Sequence, residues 1–108
     1  HPIFRIPHHS SWGEDTTNNK IQYRRIDDYM TPQEIPILAN PGKRDSENTW
    51  SFHYPLSAYS EMLFDNGFVI EKIEEWISDK KSTGSNAKVE DRARKEFPLF
   101  MTIIAKKN

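Results

Sequence analysis

The stretch that most constrains this chain is residues 49–68, TWSFHYPLSAYSEMLFDNGF. Trp50 and Phe52 alternate with Ser51 and His53, as in a short half-buried strand. Pro55 comes next, and it suits a helix's first turn because its missing N–H would have no helical partner there. Leu56, Tyr59, Leu63 and Phe64 fall on one helical face. Asn66-Gly67 ends that helix, with Gly67 free to take the left-handed conformation. Phe68-Val69-Ile70 then returns to the core as a strand.

Composition bounds what can be built around this unit. At 108 residues there is room for one small domain, spanning 1–108, and we see no internal repeat or boundary. Hydrophobic residues make up 35% and aromatics 12%, so the core should be small and aromatic, and its stability should draw on a partner surface. A net charge of -1 argues against nucleic acid as a partner and against a polybasic membrane anchor. The absence of cysteine removes disulfides and thiolate chemistry and fits a cytoplasmic protein. No apolar run is long enough to cross a bilayer.

Elsewhere the reading is coarser. Residues 1–7 carry two prolines and should be extended, and 8–13 reads as a loop carrying Trp12. Residues 14–19 are polar, with a turn at Asn18-Asn19. Residues 21–26 are a candidate strand. Thr31-x-x-Glu34 matches a capping box over a short helical turn. Residues 35–39 form a short strand that Pro36 confines to an edge. The turn-rich loop 40–48 would bring strands 21–26 and 49–53 together as antiparallel neighbours, with 35–39 beside them. Apolar positions 69, 70, 73, 76 and 77 fit a helical stripe, but a strand is expected over 68–75 because Phe-Val-Ile directly succeeds a glycine cap. Residues 89–97 read as a helix stopped by Pro98, with acids in the first turn and bases in the last. The apolar run 99–105 reads as a strand buried on both faces.

The string WSFHYPLSAYSEMLFDNGFVIEKIEEW resembles the C-terminal part of class I S-adenosylmethionine-dependent methyltransferases. Those enzymes carry an aromatic-aromatic-His-Arg-Pro-Leu segment, a helix, a Gly-Phe turn and a penultimate strand ending in a short acidic run. Here Phe52-His53-Tyr54-Pro55-Leu56, Asn66-Gly67-Phe68 and Glu74-Glu75-Trp76 match, with Tyr54 in place of the usual arginine. The opening HPIFRIPHHSSWG resembles the segment after the fifth strand in one branch, and FPLFMTIIAKK resembles the last strand, so the likeness runs end to end.

The resemblance implies an α/β chain with a partial Rossmann-like methyltransferase fold. It would be mostly antiparallel, with a main helix over about 56–66, a shorter one over about 89–97 and a β-rich insertion over 14–53. Residues 54–108 would supply the main helix and the last two strands of the sheet. It also implies that the chain is the second part of such an enzyme, with the cofactor-binding half missing. The four glycines Gly13, Gly42, Gly67 and Gly84 make no G-x-G pattern, so no cofactor-binding residues are expected here. S-adenosylmethionine would belong to the complete enzyme, and this chain alone should be inactive.

What remains is the part that covers the substrate, a small-molecule methyl acceptor. His53 is the catalytic candidate: a neutral imidazole at the strand end is suited to orient or deprotonate a nucleophile. A histidine that only hydrogen-bonds the backbone is the other reading of that position. Tyr23 and Tyr29, in the segment resembling the insertion over the active site, are candidates to line the pocket. Packing with a wet hydroxyl is the plainer role. Arg5, Arg24 and Arg25 are suited to clamp a carboxylate or phosphate, against the alternative of pairing with Glu14, Asp27 or Asp28. Trp12 and Trp50 are candidates to stack on a flat substrate, with core packing as the alternative for Trp50. No metal site is expected, because His1, His8 and His9 have no evident carboxylate set nearby in sequence. An open sheet edge and apolar faces predict a homo-oligomer of this chain. The rival class is a non-enzymatic small α/β binding or assembly module using Trp12, Tyr23 and Trp50.

Overall fold

A computed structural model describes residues 1–17, 20–38 and 48–108. Its first hairpin shows how cross-strand pairs substitute for a hydrophobic pattern. Strand β1 (Ser10–Asp15) pairs antiparallel with β2 (Ile21–Ile26). Trp12 lies opposite Arg24, whose guanidinium sits 4.9 Å over the indole ring. Ser11 lies opposite Arg25, and the Arg25 Nε–H donates to the Ser11 hydroxyl at 3.1 Å. Gly13 lies opposite Tyr23, whose ring fills the space a Cβ on residue 13 would need. Such opposed pairs stabilise a ladder that strand propensity alone would not. The expected loop over 8–13 is therefore strand from Ser10 onward.

The second hairpin joins β3 (Gln33–Leu38) to β4 (Asn48–His53), with Pro36 opposite Trp50. Pro36 is tolerated because both strands of a two-stranded sheet are edges. The capping box at Thr31 forms no helix, since Gln33 and Glu34 enter β3 directly. The residues of loop 40–47 and the turn expected at Asn18-Asn19 lie outside the described residues, as does Gly42.

Pro55 leads from β4 into helix α1 (Leu56–Asp65), with Gly67 at φ +80° just past its end. Leu56, Tyr59 and Leu63 are half-buried, as the helical spacing predicts, but Phe64 is 78% exposed. Strand β5 (Phe68–Trp76) comes next, then helix α2 (Ala87–Glu96) and strand β6 (Phe100–Lys107). Strands β5 and β6 pair antiparallel, with Glu71 as the extra residue of a bulge between Ile70 and Lys72. Helix α1 packs on β5, and α2 packs on β2.

The architecture corrects the expected fold class. Among the described residues there are six strands in three separate two-stranded antiparallel sheets, with two helices. This is a mostly-strand protein and not a partial Rossmann-like methyltransferase fold, which needs one shared sheet layered with helices. The pairing expected between 21–26 and 49–53 is likewise overturned: each strand pairs instead with its own hairpin neighbour. Adjacent partners need only a short loop to close, so their entropic cost is lowest.

Splayed hairpins bury little. The radius of gyration is 17.1 Å, against about 13 Å for a compact chain of this length. Among the described residues, Ile6, Ile35 and Ala93 form the buried hydrophobic core. Strand β6 is not buried on both faces, since Phe100, Thr102 and Ile104 alternate as its exposed face. Phe100 and its cross-strand partner Trp76 are both more than half exposed.

Candidate functional site

Two hydrogen bonds to one residue, Tyr29, fix the β4–α1 junction. Helix α1 begins after a proline, which offers no side-chain oxygen to its orphan N–H groups. Tyr29, from the β2–β3 connection, supplies the acceptor: its hydroxyl takes the Leu56 N–H at 2.9 Å. The Tyr29 carbonyl meets His53 Nε2 at 2.7 Å. A carbonyl only accepts, so Nε2 carries the proton and donates it. His53 is 3% exposed, and its Nδ1 has no protein partner among the described residues.

His53 lines a cleft of about 540 Å³ between the N-terminal segment, β3–β4 and β6. Phe52, Tyr59, Phe100 and Met101 give it apolar and aromatic walls. Burial raises the Tyr59 phenol's pKa above the usual range, and the neighbouring Tyr54 adds to the rise. Tyr54, where the resemblance has an arginine, packs edge-on against Tyr59 at 5.8 Å. Arg5 lines the opposite side, its guanidinium carbon 4.9 Å over the Phe100 ring. His1 also lines the cleft: its Nδ1 accepts the Ile3 N–H, which leaves Nε2 to donate to Glu75 at 2.7 Å.

The cleft thus gathers two of the sequence candidates, His53 and Arg5, and Tyr29 braces the first from behind. Tyr23, Trp12 and Trp50 lie elsewhere. Tyr23 covers Gly13, Trp12 is held between Arg24 and the edge of Phe97, and Trp50 stands opposite Pro36 with 56% exposure. Arg24 donates to the Phe4 carbonyl and the Ser10 hydroxyl, and Arg25 pairs with Asp27, so both have structural partners. Sequence reasoning missed His1, Phe52, Tyr59 and Phe100 as lining residues. Only the tight spacing of Phe52 to His53 pointed that way.

One donor set assembles that sequence spacing did not show. The hairpin brings Asp27 and Asp28 to His9, with one ligand atom from each within 4.8 Å of the others. His9 Nδ1 lies 2.5 Å from Asp27 and 3.4 Å from Asp28, and Arg25 holds the other Asp27 oxygen. The His9 hydrogen bond and then Arg25 lower the Asp27 pKa below the usual carboxylate range. Arg25 already offsets one of the two carboxylate charges, and we assign no ion to the cluster. A second groove of about 900 Å³ between β2 and α2 is lined by Lys20, Lys88 and Arg92 together with Glu96.

An adenosyl cofactor would need a glycine cradle opening onto a helix after a strand. The described glycines serve other ends. Gly13 makes room for Tyr23, while Gly67 and Gly84 turn the chain at positive φ. Each strand pairing among the described residues is antiparallel. These residues do not fit the cofactor. Comparison with protein-family models, with curated proteins and with solved structures found no match to this chain.

Proposed function

We propose that this chain is the acceptor-binding part of an S-adenosylmethionine-dependent methyltransferase, with the methyl donor held on a unit outside these residues. The observation that carries the reading is His53 at the wall of the aromatic cleft, its Nε2–H committed to the Tyr29 carbonyl. That commitment leaves a lone pair on Nδ1, the form of the ring that accepts a proton from an acceptor O–H or N–H. The aromatic walls of the cleft would orient the acceptor. The end-to-end resemblance of the sequence supports the same reading. A cytoplasmic location goes with it and draws on the absence of cysteine. No helix among the described residues is long and apolar enough to cross a membrane.

The test is methyl transfer by a protein in which this chain is joined to its cofactor-binding unit, assayed against a panel of hydroxyl and amine acceptors. His53→Gln, checked for folding by circular dichroism, should lower kcat by about 10²–10⁴-fold, the range for a positioned general base. Unchanged kcat in the folded variant would remove His53 from the chemistry.

A second reading has its own support, an assembly module that closes on copies of itself. Trp50, Phe52, Trp76 and Phe100 are each more than half exposed, and the strands of every described sheet are edges. Such surfaces seek partners. The two readings part on whether a cofactor analogue ever binds.

A further inference from the structure

Resting on the acceptor-site reading, we infer that the cleft takes a small aromatic carboxylate, its anionic group on Arg5 and its ring between Phe52, Tyr59 and Phe100. Three observations carry this. The first is the charge of the wall: it holds Arg5, His1 and His53, and among the described residues no aspartate or glutamate lines it, the nearby Glu75 being engaged by His1. Arg5 gives that wall a fixed positive charge, which favours an anion over a cation.

The second is the state of Arg5. Among the described residues its guanidinium makes no ion pair and no hydrogen bond. Arg24, Arg25 and Arg94 have such partners, while Arg92 on α2, like Arg5, has none among the described residues. Arg5 instead stacks over the Phe100 ring. A guanidinium over a ring face can still offer its planar N–H fork to a carboxylate bidentately. The ring contact therefore leaves the fork's hydrogen bonds unspent.

The third is the shape and chemistry of the remaining wall. At about 540 Å³ the cleft is in the size range of small-molecule sites. Its walls are dominated by aromatic and aliphatic side chains, which favour a flat apolar body over a sugar or a polyamine. His53 Nδ1, the one uncommitted ring nitrogen of that residue, then meets a substituent on the ring and not the carboxylate itself.

The experiment is a heteronuclear NMR titration of the full chain with benzoate, benzamide and acetate at fixed ionic strength. Benzoate should shift the amides of Phe52, His53 and Phe100 and bind about tenfold tighter than benzamide, the ratio a charge-assisted pair supplies. Acetate, lacking the ring, should be weaker than benzoate. Arg5→Gln should abolish the preference for benzoate over benzamide. Equal binding of benzoate and benzamide to the wild-type chain, or a preference that survives R5Q, overturns the proposal. The wild-type comparison decides even where R5Q fails to fold. No methyl donor is present, so that failure rejects the carboxylate class and leaves the methyltransferase reading to its own assay. Shifts confined to residues outside the cleft for all three probes would reject the cleft itself.

Discussion

Tyr29 holds His53 and the start of α1 with two different atoms, its carbonyl on Nε2 at 2.7 Å and its hydroxyl on the Leu56 N–H at 2.9 Å. One residue of the β2–β3 connection thus sets both the tautomer of the candidate base and the register of the helix beside it. Tyr29→Phe removes only the hydroxyl. It should destabilise the protein by about 1 kcal/mol, the net worth of a neutral hydrogen bond, in a urea melt. The His53 ring resonances should stay where they are, because the carbonyl contact is untouched.

Gly13 and Tyr23 make a sharper pair. A Cβ at residue 13 would lie 2.3 Å from the Tyr23 ring, so alanine there must displace the ring. Gly13→Ala should cost about 1–3 kcal/mol in the wild-type background, the range for overpacking. In a Tyr23→Ala background the same change should be neutral or should stabilise by about 0.5 kcal/mol, since alanine loses less backbone entropy than glycine. A double-mutant cycle read by chemical denaturation checks the change of sign.

Acid should unfold the protein partly through Asp27 and Asp91. Asp27 is held below the usual carboxylate range by His9 and then Arg25, and Asp91 by the Ser82 N–H and then Arg94. A carboxylate whose folded pKa is depressed stabilises above its unfolded pKa, near about 4, and that stability is lost as pH falls through the lower folded pKa. Asp27→Asn should therefore lower Tm at neutral pH and converge with wild type in acid, once the pH lies below the depressed folded pKa. Parallel Tm curves for the two proteins across that window would contradict the assignment.

Exposed apolar surface gives a prediction about association. The isolated chain should be a dimer or larger by multi-angle light scattering at micromolar concentration, through surfaces that include Trp76 and Phe100. Trp76→Lys with Phe100→Lys should shift the population toward monomer without loss of far-ultraviolet circular dichroism. A wild-type chain that runs as a clean monomer would count against this.

The contrast between α1 and β1 shows what the sequence could reveal. Helix α1 was legible because each of its signals is local: Pro55 at the start, a 3.6-residue stripe, Gly67 at the end. The same Gly67 resolved β5, whose apolar positions fit a helix better than a strand. Strand β1, SSWGED, has no alternating pattern and was invisible. It is held by the residues across from it, Arg24 on Trp12 and Tyr23 on Gly13, and such partners cannot be read from the strand itself. Strand pairing failed for a related reason. The expected three-strand arrangement rested on loop signals, and the chain instead closed each hairpin on its nearest partner. At the candidate site, His53 and Tyr29 had sequence signals. The meeting of Arg5 with Phe100 had none, since 95 residues of chain separate them.

The most direct test of the central claim is a calorimetric titration of S-adenosylhomocysteine into this chain and into a protein that extends it by a cofactor-binding unit. The account predicts no heat of binding with the chain alone and saturable binding with the extended protein. Binding to the chain alone would contradict the conclusion that its residues do not fit the cofactor. Binding to neither would contradict the methyltransferase reading and favour the assembly module.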